Sequence, residues 1–114
     1  MSAVGSSPYV NLFTIYQEMA KLDNQLITDL KNKDQQAAER DIDQLQALNH
    51  DMLLESHEAK FEGGNPLFAQ IMGMQNAEEM MLTEVQAGDF GEALTTNNNV
   101  GSDLENVFHI IVNG

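Results

Sequence analysis

The strongest constraint on this chain is a pair of matched apolar stripes between Pro8 and Lys60. In the first arm Leu12, Ile15/Tyr16, Met19, Leu22, Leu26 and Leu30 recur at steps of three and four. In the second, Ala38, Ile42, Leu45, Leu48/Asn49 and Met52/Leu53 do the same. That spacing places each set along one side of an α-helix, and each side must be buried against something. Lys31-Asn32-Lys33-Asp34 separates the arms. Its two cations suit the negative end of the first helix dipole, and Asp34 suits the N-cap of the second helix. So short a turn predicts an antiparallel hairpin over residues 8–60. At about 1.5 Å per residue its arms match, at about 35 Å each.

Downstream, Phe61-Glu62-Gly63-Gly64-Asn65-Pro66 is a loop that stops the second helix and starts a third. The third helix is expected over residues 66–87, with Leu67/Phe68, Ile71/Met72, Gln75, Met81/Leu82 and Val85 as its stripe. Gly73 interrupts it at a cost of about 1 kcal/mol relative to Ala. Gly88 suits a C-cap, and Asp89-Phe90-Gly91-Glu92-Ala93-Leu94 suits one further helical turn started by Asp89. Thr95 to Asn99 lacks a burial pattern and predicts an open loop. Ser102 and Glu105 then have the spacing of a capping box, which predicts a C-terminal element over 102–113. Phe108 to Val112 is β-branched enough for a strand, although the capping box favours a helix. The expected fold class is therefore all-α, a small helical bundle. It consists of a long antiparallel hairpin, a third helix packed along it and a short C-terminal element. Residues 8–114 form one domain, behind a flexible N-terminal tail of residues 1–7.

Charge restricts the partners. The chain has 18 acidic and 5 basic residues, a formal net charge of −13. All the cations (Lys21, Lys31, Lys33, Arg40 and Lys60) precede Phe61. This argues against nucleic acid and against an anionic membrane surface. It suits solubility, or an acidic face for a basic protein, or a mimic of the DNA backbone. Cysteine is absent, which excludes disulfides and thiolate sites. No apolar run approaches the roughly 18 residues of a membrane span. The first seven residues lack the charged and apolar regions of a secretory signal.

Candidate chemistry is sparse. His50 and His57 are seven residues apart on one helical side, near Asp51, Glu55 and Glu58. A di-metal bundle needs Glu-x-x-His on two helices, and that pattern does not occur. Met72, Met74, Met80 and Met81 could hold a soft metal, but methionine equally fills helix cores. No nucleophile triad, phosphate loop or zinc spacing can be assembled. We expect no catalytic residue, cofactor, metal or small-molecule substrate. The seven aromatic residues are spread along the chain and suit core anchors.

The order of several short motifs resembles the helical rod domain of flagellins and of hook-associated proteins at the hook–filament junction. Those motifs are Asn11-Leu12-Phe13, Lys31-Asn32-Lys33-Asp34, Ile42-Asp43-Gln44-Leu45, Leu82-Thr83-Glu84 and Asp89-Phe90-Gly91-Glu92-Ala93-Leu94-Thr95. The chain departs from the family at Ser56-His57-Glu58-Ala59-Lys60, where an Arg and a Gly are usual. It also lacks the terminal coiled-coil segments. The resemblance implies an isolated rod domain that assembles into an extracellular filament.

The function expected is that of a non-catalytic structural or assembly subunit of a larger particle, a flagellum-like filament or a virion. The alternative is an acidic inhibitor or adaptor. The partner is a protein or a second copy of the chain. Phe108, Ile110, Ile111 and Val112 do not share one helical stripe, so this apolar end needs cover on more than one side. A thin three-helix body would supply only one side, which makes these four the expected partner-binding residues.

Overall fold

The computed structural model describes residues 7–61 and 63–113, so most of the expected tail lies outside the described residues. Four helices fill them: α1 Pro8–Lys31, α2 Gln35–Ala59, α3 Leu67–Gln86 and α4 Phe90–Asn113. There is no strand among the described residues. Each helix packs against its sequence neighbour, and α4 closes the ring on α1. Cross-links near the ends fix the directions. The Asn11 amide near the start of α1 donates to Glu55 near the end of α2 at 3.0 Å. The Asn106 amide near the end of α4 donates to Gln70 near the start of α3 at 3.1 Å. The molecule is an up-and-down bundle of 45 × 28 × 17 Å. No described helix is long and apolar enough to cross a membrane.

Local chemistry starts and stops these helices. Ser7 caps α1 by accepting from the Val10 amide, and Pro8 occupies its first turn, where a missing N–H costs nothing. Asp34 caps α2 by accepting from the Ala37 amide at 3.2 Å. Lys33 carries the left-handed backbone of the turn at φ 56°, although no glycine is present there. Asn65 binds both sides of the second turn. Its oxygen accepts from the Leu67 amide and its nitrogen donates to Ser56. Gly88, at φ 77°, ends α3 in the left-handed region that glycine enters without strain.

The hairpin and the third helix lie where the apolar spacing places them. Leu12, Met19, Leu26 and Leu30 of α1 face Ile42, Leu45 and Met52 of α2, all fully buried. On α3 the expected Leu67, Ile71, Met81 and Val85 are buried, and the stripe departs from expectation only in its middle, where Met74, Ala77 and Glu78 face inward in place of Gln75. Met74 is buried and Gln75 exposed, and Leu67 points inward while Phe68 points out. Gly73 has a packing role beyond mere tolerance. A Cβ there would stand 2.5 Å from the Asp103 carboxylate of α4.

The C-terminal third differs from its expectation. Thr95 to Asn99 is not an open loop, and Ser102 does not begin an element; both lie inside the unbroken α4. The helix starts thirteen residues earlier than the capping-box position, at Asp89, whose carboxylate accepts from the Glu92 amide at 3.3 Å. The reason is visible in the buried side of α4: Ala93, Thr96, Asn97, Val100, Leu104, Val107 and Ile111. These keep the three-four rhythm of a helix, with polar residues at two of its inward positions. Thr96 donates to Glu84 at 3.1 Å and Asn97 to Asp23 at 2.6 Å. Tertiary hydrogen bonds thus offset the weak helix propensity of the Thr-Asn run.

Leu45 is fully buried in the α1–α2 seam and belongs to the common core. Leu45→Ala is expected to cost about 2–5 kcal/mol. Urea unfolding followed by circular dichroism checks this, and an unchanged midpoint would contradict the packing.

Candidate functional site

The four residues expected to meet a partner do not share one surface. Ile111 is 7% exposed and lies in the bundle's own core. Phe108 is half-buried against α1, its ring centroid 5.6 Å from that of Tyr16 and 6.4 Å from that of Phe13. Ile110 is half-buried along the core, whereas Val112 is 53% exposed. The wide apolar arc of α4 has a plain cause. The helix touches α1 on one side and α3 on the other, so a four-helix body covers two sides where a three-helix body would cover one.

Val112 nevertheless has company. The other large apolar side chains at least half exposed, among the described residues, are Val10, Leu54, Phe68 and Met80. Val10 opens α1, Leu54 lies in the last turns of α2, and Phe68 opens α3. With Val112 they occupy one end of the bundle, beside the edge-to-face pair Tyr9–Phe61. Spacing alone did not separate them from the core because each adjoins a buried or half-buried apolar residue in the sequence.

The middle of the bundle holds a polar layer with one member from each helix. These are Asp23 of α1, Asn49 of α2, Glu78 of α3 and Asn97 of α4, all at most 6% exposed. The Asn97 amide donates to Asp23 Oδ1 at 2.6 Å and lies 3.8 Å from the Met81 sulfur. The Asn49 amide donates to Glu78 Oε1. Burial raises the pKa of Asp23, against the stabilising hydrogen bond from Asn97. Burial likewise pushes Glu78 up to about 8. The Asn49 hydrogen bond opposes that rise, and the charges of Asp23 and Glu79 add to it.

A second acid pair lies near the α1–α2 turn. Asp41 is fully buried and accepts from the Gln25 amide at 3.2 Å. Its pKa is raised to about 7, first by burial, then by the hydrogen bond and charge of Asp29, with Asp34 adding and Arg40 opposing. Two carboxyls hydrogen-bond to each other only when one holds a proton.

Shallow grooves run between neighbouring helices on the surface of the described residues. The α1–α2 groove, about 390 Å³, is lined by Leu22, Ala47 and Leu48 with polar rims. The α2–α3 groove, about 300 Å³, has Asn49 at its wall and His50 and Glu79 among its neighbours. His50 and His57 are exposed. Among the described residues no three His, Cys, Asp or Glu side chains come together to hold a metal ion.

These features define a small all-α four-helix bundle with a polar layer in its core and an apolar end. No family model, curated protein or solved structure matches the chain. The resemblance to flagellins therefore stands on its short motifs alone.

Two measurements test the buried pairs. Asn97→Ala leaves the Asp23 carboxyl without its donor and should cost on the order of 3 kcal/mol. Combining it with Asp23→Leu should recover much of that loss in a double-mutant cycle read by urea unfolding. Asp41 has a raised pKa in the folded state. Its stabilising contribution is thus complete below about 3.8 and is lost as the pH rises through about 7. Asp41→Asn should flatten the melting temperature across that window.

Proposed function

We propose that this protein is a non-catalytic assembly subunit that joins another protein chain through the apolar end of its bundle. The observation that carries the reading is the placement of Val10, Leu54, Phe68 and Val112, four of the five exposed large apolar residues among the described ones, at that one end. Large apolar side chains exposed toward one end, one on each helix, favour a protein contact there. The buried acids support the non-catalytic half of the reading. Asp23, Asp41 and Glu78 are each sealed in the core, where their carboxyls can hold a proton but cannot reach a substrate. The flagellin-like hairpin motifs point to a flagellum-like filament as the particle, and a virion is the other setting in which such a subunit serves.

An acidic inhibitor or adaptor is the second reading, favoured by the net charge of −13 and by the absence of any Lys or Arg after Lys60. Salt separates the two, since charge-driven contacts are screened and apolar ones are not. Light scattering of the full chain at two concentrations and two salt levels is expected to show a salt-insensitive oligomer. Leu54→Glu with Phe68→Glu should disperse it and leave the helical circular-dichroism signal intact. A monomer that captures cationic proteins at low salt only would overturn the assembly reading in favour of the adaptor.

A further inference from the structure

Five buried side-chain oxygens have no hydrogen-bond partner among the described residues. Four of them fall into two neighbouring pairs. Asn49 Oδ1 and Glu78 Oε2 belong to side chains already joined by one hydrogen bond. Asp29 Oδ2 and Asp41 Oδ2 belong to carboxyls in contact across the α1–α2 seam. All four atoms are acceptors when the acids are ionised, so each pair is short of one donor. A buried acceptor left without a donor is costly, and two such pairs in one small core would be costly twice.

One proton per pair removes the deficit. On Glu78 it turns the carboxylate into a carboxylic acid, whose O–H can donate to Asn49 while the Asn49 amide donates back. On the Asp29–Asp41 pair it supplies the only hydrogen that two facing carboxyls can share. We infer that the bundle core contains two proton-binding sites, Glu78–Asn49 and Asp29–Asp41, and that the protein tightens when they fill and loosens when they empty.

The surroundings favour a proton over a metal ion. Each pair offers too few oxygens for a hard cation, which takes six or more. The charged groups acting on Glu78 are Asp23 from α1 and Glu79 from its own helix, both negative, while α2 and α4 bring the neutral amides of Asn49 and Asn97. Among the described residues, those acting on Asp41 are Asp29 from α1, Asp34 from the turn and the cation Arg40 from α2, with none from α3 or α4. Negative neighbours and burial both favour the protonated acid. The raised pKa values of Glu78 and Asp41, about 8 and about 7, agree with this in direction.

The sign follows from linkage. The folded chain holds protons that the unfolded chain releases near pH 4, so stability is greatest in acid and falls as the pH rises toward 8. Each such proton makes the unfolding constant rise about tenfold per pH unit within its window. Urea unfolding of the full chain from pH 5 to pH 9 reads that slope. Glu78→Gln keeps the shape and the donor but cannot ionise, and it should remove one tenfold factor per unit. Glu105→Gln deletes the same charge from an exposed position on α4 and should leave the slope nearly as it is. A Glu78→Gln protein with the wild-type slope would overturn the inference. If that variant does not fold, carboxyl-carbon NMR of the wild type decides. A Glu78 midpoint near 8 upholds the site, and one near 4.5 overturns it. Stabilisation by added calcium, lost with a chelator, would also overturn it by giving the oxygens to a metal.

Discussion

The contact between Asp23 and Asn97 fixes the relation of the first helix to the last, and much of the bundle's definition follows from it. Apolar stripes alone hold helices together but tolerate sliding by a turn, because one leucine replaces another. A carboxyl at the centre does not tolerate this. If α4 slipped by one turn, Asp23 would lose the 2.6 Å hydrogen bond and remain buried beside leucine and methionine. An uncompensated charge in such a place costs several kcal/mol. Asn49 and Glu78 impose the same restriction between α2 and α3. The polar layer therefore selects one register among several that the apolar residues would accept, as single polar residues do in coiled coils.

The hairpin was legible because its stripes are long, regular and nearly all apolar. Its turn was legible because Asp34 is a cap that works through its own side chain. The middle of the fourth helix, and so its continuity, was not, and the reason is physical. Thr96 and Asn97 occupy inward positions by virtue of partners 12 and 74 residues away in sequence, and no local pattern announces those partners. Asp23 and Glu78 were hidden for the same reason. Each stands in step with buried apolar neighbours (Met19 and Leu26, Met74 and Met81), yet a lone acid on a helix is ordinarily solvated. On α3 apolar residues stand side by side at several steps, so spacing left Leu67 or Phe68 open and burial chose Leu67. Of the apolar end only Val112 was singled out, because Val10, Leu54 and Phe68 sit next to core residues and reach the same end only through the up-and-down order of the helices.

The ring order of the helices also sorts charge. All five Lys and Arg side chains belong to α1, α2, their turn and the residue just after α2, while α3 and α4 carry carboxyls unaccompanied by cations. Because α1 and α2 lie side by side, as do α3 and α4, the molecule has an electrical polarity from one helix pair to the other. Helix dipoles add little to it, since antiparallel neighbours cancel. Both flanks are net acidic, but the α1–α2 flank sets five cations against ten acids. Near a positive body such a particle therefore turns before it touches, presenting its cation-free α3–α4 flank. A rod decorated by such subunits would have sidedness in its charge even if every contact between subunits were apolar.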